Sequence, residues 1–324
     1  MEELPPQPAM KSNLDLINEC DAFPYYQTDS EVYLQHISTY YHFQIANSSS
    51  TLGYVLPSVA EVLRGLSSWT LDDDTRTLTL NGGSTAEERS AIIAATCEAM
   101  RKTDHFRVLR GWRNELYPVY AAGGELLFSI ERAASSLFGI VTYGVHMTAF
   151  VRDKEAGALK IWVPRRARNK QTYGGMLDNT VAGGISTGEA TFESLVREAA
   201  EEASLPEELV RREARACGCV TYFYIRDARA GGETGLLQPE CEYIYDLELD
   251  EDVVPRPGDS EVEEFYLWTV QEVQEAMARG EFKPNCAMVL LDFFMRHGIL
   301  TCENEKDYVE IVARLHRRLE FPTH

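Results

Sequence analysis

The chain has 324 residues, 44% of them hydrophobic and 25% charged, a globular composition with room for two packed domains. A formal net charge of −20 excludes a general binder of phosphate backbones, so no nucleic-acid partner is expected, and any phosphate-bearing ligand needs local cations or a metal. No apolar run approaches the roughly 18 residues of a membrane span, so no membrane partner is expected either.

The opening segment, MEELPPQPAMKSN, carries acids and a proline pair where a secretory signal or transit peptide needs a basic, acid-poor start. A cytoplasmic location, with the nucleus as an alternative, is the expectation. Seven cysteines without a CxxC pair predict free thiols, not a zinc site or disulfides, and Cys217 and Cys219 would share one side of a strand.

Residues 1–136 read as a smaller α+β domain. It has an amphipathic helix near 14–18, a helix starting at Pro57, and a strand over 75–80 ending in the turn Asn81-Gly82-Gly83. A helix over 86–101, capped by Ser84 or Thr85, precedes a hairpin in YPVYAAGGELLFSIER that closes at Gly123-Gly124. This half holds no cluster of acids, histidines or cysteines.

Residues 137–301 read differently. GIVTYGVHMTAFVRD and LKIWVPRRA predict strands around the turn KEAGA. A glycine-rich segment, YGGMLDNTVAGGISTGE, leads to a helix over 191–203. CGCVTYFYIRD and ECEYIYDLELD predict two more strands, and helical patterns follow near 269–279, 285–296 and 305–319, with 302–324 set apart as a C-terminal helix.

The chemistry concentrates in GGISTGEATFESLVREAAEEASL. Glu198, Glu201 and Glu202 stand at i, i+3 and i+4, so a helix puts their carboxylates on one face. Taken alone, REAAEE is a solvated acidic face. The flanks change the reading: a Gly-Gly pair allows backbone carbonyls close to the acids, and Glu189 is placed to pair with Arg197 across the loop–helix junction. Convergent carboxylates with loop carbonyls suit Mg²⁺, a hard cation that takes oxygen ligands and phosphate oxygens.

This segment resembles the Nudix box, Gly-x5-Glu-x7-Arg-Glu-U-x-Glu-Glu-x-Gly-U, with U a bulky apolar residue. Gly183, Glu189, Arg197, Glu198, Glu201, Glu202 and Leu205 fall in register, while Ala199 is smaller than usual and Ser204 replaces the second glycine. That replacement puts the left-handed turn after the helix in question. The resemblance implies an α/β fold, an α/β/α sandwich around a mixed sheet. It also implies hydrolysis of a diphosphate by water attack on phosphorus. Mg²⁺, with Mn²⁺ as a substitute, would be held by Glu198, Glu201, Glu202 and the Gly183 carbonyl, with Arg197 and Glu189 in supporting roles. A further acidic base is expected on a later loop, where Glu261, Glu263 and Glu264 in DSEVEEF are candidates and Glu264 is the one chosen.

WVPRRARNKQTYGGMLDNTVAGGISTGE and FKPNCAMVLLDFFMRHGIL extend the resemblance to a fungal and plant Nudix subfamily with an extra N-terminal domain, some members fused to thiamine pyrophosphokinase. Its implied substrates are thiamine diphosphate analogues, above all oxidatively damaged ones, converted to monophosphate plus phosphate as metabolite repair. Arg165, Arg166 and Lys170 form a basic patch before the box suited to a terminal phosphate. Asn285 has the donor and acceptor to read a ring edge, or caps the following helix, and Trp162, Tyr173 and Trp268 are candidates to stack on a ring or to pack. Three other readings share the box. An isopentenyl diphosphate isomerase would need a cysteine and a histidine where Ala182 and Gly184 stand. A nucleoside-diphosphate-X pyrophosphatase, on ADP-ribose or a nucleotide sugar, differs in its products. A silent binding module would be marked by lost box acids.

Overall fold

The computed structural model describes residues 10–153 and 157–324. The leader reading rests mainly on residues 1–9, and the turn KEAGA on 154–156, which lie outside the described residues.

Helices α1 (Asn13–Cys20) and α2 (Ser30–Ile37) lead into β1 (Tyr41–Ile45) and β2 (Gly53–Val55). Then come α3 (Pro57–Leu63), β3 (Trp69–Asp72), β4 (Thr77–Leu80) and α4 (Ala86–Lys102). The four strands form one sheet in the order β2-β1-β4-β3. Pro57 opens α3 at a position that has no N–H bond to lose. Thr85 and Glu88 cap α4 reciprocally, each side chain accepting the other's backbone N–H. Phe43, Leu78, Leu80 and Ile93 close this unit's own core. The hairpin of β5 (Leu116–Tyr120) and β6 (Leu126–Glu131), followed by α5 (Ser135–Phe138), joins it to the second half.

There β7 (Thr142–Arg152), β8 (Leu159–Arg166) and β9 (Val181–Gly184) precede α6 (Thr191–Ala203) and α7 (Glu207–Glu213). Strands β10 (Arg215–Ile225), β11 (Leu237–Glu248) and β12 (Val262–Thr269) follow, then helices α8 (Val270–Ala278), α9 (Pro284–Arg296) and α10 (Tyr308–Leu315). The six strands make a mixed sheet, ordered β10-β11-β7-β8-β12 with β9 also on β7, in which β11 and β7 run parallel. Residues alternate across it, as a pleated strand requires. Val145, Met147, Ala149 and Val151 pack with Leu195, Val196 and Ala199 of α6, whereas Phe150 packs with α9 on the other face. The result is the expected α/β/α sandwich.

Three features depart from expectation. DSEVEEF is not a loop: Val262 onward pairs with β8, and a register shift between Val262 and Glu264 disrupts the alternation that would have revealed the strand. The glycine-rich stretch contains β9, where a side chain at Gly183 would run into the Glu198 carboxylate and one at Gly184 into the Tyr117 hydroxyl. Ser204 does take up the left-handed turn, at φ 52°, and Leu205 N–H closes it on the Ala199 carbonyl at 3.1 Å. In addition, α1 leaves its sequence neighbours: Leu16, Ile17 and Cys20 share a core with α9 and α10.

Candidate active site

Helix α6 buries Leu195, Val196, Ala199 and Ala203 against the sheet, which fixes its rotation and turns Glu198, Glu201 and Glu202 to a cleft beside β9. Arg197 is the organiser. Its guanidinium meets Glu189 at two points (2.8 and 3.0 Å) and reaches Glu198 at 2.9 Å and Glu201 at 3.1 Å. Burial would raise the Glu189 carboxyl, but Arg197 outweighs it and holds the group below the usual range.

Glu202 has no such partner. Only 9% exposed, it accepts the Ala182 N–H at 3.0 Å. Burial first, then the charges of Glu198 and Asp178, push its carboxyl up to about 8. Burial also raises Glu198, against the pull of Arg197. Excess buried negative charge of this kind is relieved by a hard divalent cation, and the oxygen donors suit one. Among the described residues no three acid, histidine or cysteine side chains already converge on one point, because Arg197 draws Glu198 and Glu201 to itself. A bound ion would compete with that guanidinium.

The opposite walls are basic, but not in the way the sequence suggests. Arg166 lines the cleft and is tied to Asp178 at 2.5 Å, holding the Asp178 carboxyl well below its usual range despite burial. Arg165, next along β8, faces the other side of the sheet, bonding the Tyr266 hydroxyl and the Gly175 carbonyl. The structure therefore takes Arg165 out of the site. Lys170 remains in it, paired with Glu261. Glu264 is also removed: it is exposed on β12 and receives the Tyr266 hydroxyl, while Glu261 and Asp259 line the cleft.

The cleft adjoins a second cavity of about 200 Å³, lined by Tyr173, Tyr222, Gln238, Glu240 and Asn285. Asn285 is thus on this cavity and not on the acidic cleft; its amide lies 3.4 Å from Glu242. Tyr173 reaches the cavity, whereas Trp162 is buried in the core and Trp268 stacks on Tyr266. Two cations that sequence reasoning missed stand where cleft and cavity meet, Arg132 and Lys283. Arg132 comes from the N-terminal half, bonded to Glu115 at 2.9 Å. Nothing in the local pattern marks it, because only the docking of the two halves brings it to the cleft.

Two families match the chain: a domain of unknown function, DUF4743, over residues 24–142, and the NUDIX domain over residues 142–286. An uncharacterized protein of Saccharomyces cerevisiae is 40% identical over 73% of this chain and 70% of its own length. From Arabidopsis thaliana, Nudix hydrolase 20, chloroplastic, is 40% identical over 65% of this chain and 54% of its own length. Nudix hydrolase 24, chloroplastic, is 36% identical over 71% and 60%. The match thus spans less than two thirds of each plant relative. Among the described residues no helix is long and apolar enough to cross a membrane.

Proposed function

The chain belongs to the Nudix hydrolase family, and we propose that it cuts the diphosphate linkage of a small molecule with a divalent metal, Mg²⁺ by preference. The observation that carries this reading is the cleft itself, with three α6 carboxylates on one wall and Arg132, Arg166, Lys170 and Lys283 on the others. Such a site accepts a polyanion only together with a cation.

In this reading Glu198, Glu201 and Glu202 would hold the metal, with the Gly183 backbone beside them. The metal would neutralise phosphoryl charge and lower the pKa of the attacking water. The chain's own residues do the rest. Arg197, fixed by Glu189, sets the orientation of Glu198 and Glu201. Lys170 and Lys283 bind phosphate oxygens, and Glu261, held ionised beside Lys170, orients the water and receives its proton.

For substrate we propose thiamine diphosphate analogues, oxidised forms above all, converted to monophosphate and phosphate. The stretches WVPRRARNK and FKPNCAMVLLDFF support this, as does a cavity beside the cleft that Tyr173, Tyr222 and Tyr224 line. Seven free thiols favour a reducing compartment such as the cytoplasm. The test is Mg²⁺-dependent turnover of oxidised and intact thiamine diphosphates, ADP-ribose and nucleotide sugars, with every product identified. Inorganic phosphate plus a thiamine-type monophosphate is expected. Nucleoside monophosphate from ADP-ribose, with no thiamine turnover, would overturn the substrate and leave the chemistry.

A further inference from the structure

Tyr117 brings a hydroxyl from the N-terminal half to the wall beside β9 and leaves it without a protein partner. Its strand, β5, is pinned there by its neighbours. The Thr187 N–H donates to the Leu116 carbonyl at 2.7 Å, and the Ser186 hydroxyl lies 3.4 Å from the Glu115 carboxylate. Tyr117 is 6% exposed, and the Arg132 guanidinium sits 5.5 Å from its ring centre. The hydroxyl stands over Gly184, where an added Cβ would come within 1.9 Å of it. Among the described residues this hydroxyl makes no hydrogen bond. A buried polar group without a partner costs free energy, and a ligand oxygen placed against it would recover that cost.

The hydroxyl opens onto a small space of about 90 Å³, lined also by Arg132, Gly183, Gly184, Glu242 and Lys283. This space shares Arg132, Gly183 and Lys283 with the acidic cleft, and Tyr117, Arg132 and Lys283 with the second cavity, so it is the neck between them. That order sets a direction. Tyr117 borders the neck and the second cavity but not the cleft, whereas Gly183 borders the neck and the cleft but not the second cavity. A phosphate over the α6 acids therefore lies beyond the reach of Tyr117, and the next phosphate along meets it between two cations. Lys283 forms no ion pair among the described residues and is free to hold that phosphate. Glu240 and Glu242 line the neck as well, but the Tyr222 hydroxyl bonds both and His146 lies 3.6 Å from Glu242, so the wall answers part of their charge itself.

We propose that Tyr117 is a substrate-binding residue whose hydroxyl donates to an oxygen of the diphosphate, on the phosphate nearer the second cavity. This rests on the diphosphate-hydrolase reading for what the cleft holds. A phenol keeps its proton at neutral pH, so the group is a donor there, and a hydrogen bond to an ionised oxygen is a strong one. Together with Arg132 it makes the β5–β6 hairpin and its flank one wall of the diphosphate site. The C-terminal half alone lacks that wall.

Tyr117→Phe tests this, because it removes the hydroxyl and keeps the ring. Methylenediphosphonate, a diphosphate mimic that water does not cleave, is titrated calorimetrically with Mg²⁺ into the full wild-type chain and into the variant, and both are melted alongside. Affinity is expected to fall about tenfold in the variant, as for the loss of a hydrogen bond to a charged group. The melting temperature is expected to stay the same, since no protein group loses a partner. Equal affinities, or no binding to the wild-type chain, would overturn the proposal. A melting temperature lowered by several degrees would overturn it too, by showing that the fold itself uses the hydroxyl. Weakened binding in the variant, with no Mg²⁺-dependent hydrolysis of any diphosphate by the wild-type chain, would instead sink the hydrolase reading and leave this contact standing.

Discussion

Glu202 is a carboxylate that the fold buries without giving it a cation. Its folded-state value, about 8, lies above the ordinary 4.5, so between those values the folded chain holds a proton that the unfolded chain has released. Stability of the metal-free protein therefore falls as pH rises from about 4.5 to 8. Urea melts at pH 5 and pH 8 with a chelator present should show that loss, and Glu202→Gln should flatten it. Mg²⁺ should restore stability more at pH 8 than at pH 5, because binding competes with the proton. A pH-independent Mg²⁺ effect would remove Glu202 from the ligand set. Residues of this kind were legible in the sequence, since one helical period carries all three acids and Arg197. Arg165 and Arg166 show the limit: adjacent letters in a basic patch point to opposite faces once a strand forms, and only Arg166 reaches the cleft.

At the scale of elements, helices were read more easily than strands. The helix over 191–203 coincides with α6 because its apolar spacing and its acids keep one period. Strand β12 was hidden by its irregular register, and β9 by glycines that serve close approach and not flexibility. Gly183→Ala tests the latter: the added methyl must displace the Glu198 carboxylate, so kcat should fall at least about tenfold, by analogy with disturbing a ligand's support. Circular dichroism should show the fold retained, and wild-type kcat in this variant would contradict the close approach. At the end of α6, Ser204 bears a left-handed backbone at φ 52°, a conformation that costs a non-glycine residue roughly 1 kcal/mol. Ser204→Gly should accordingly raise the melting temperature by about 2 °C, with kcat unchanged. A lower melting temperature would mean that the serine side chain supports the turn.

Across the whole molecule, the N-terminal half is part of the site and part of the core. Arg132 reaches the cleft from one end of that half, and α1 from the other end lies in the layer of α9. Neither was legible, because both depend on contacts between segments that are far apart in the chain. Arg132→Ala should raise KM at least about tenfold, as the loss of a charge-assisted phosphate contact does, with a smaller change in kcat. Unchanged KM would place the substrate away from the neck. A chain beginning at residue 137 should lose stability outright, since it uncovers the surface that Leu16, Ile17 and Cys20 bury; a truncated chain that melts like the full one would show α1 to be dispensable. The central claim is that the α6 acids make this fold a metal-dependent diphosphate hydrolase. The most direct measurement is the Mg²⁺ dependence of product release from thiamine diphosphate and its oxidised forms, by the wild-type chain and Glu202→Gln. The account predicts turnover that requires Mg²⁺ and falls at least about a hundredfold in the variant, whose circular dichroism is unchanged. Turnover that survives Glu202→Gln at the same Mg²⁺ concentration would contradict it.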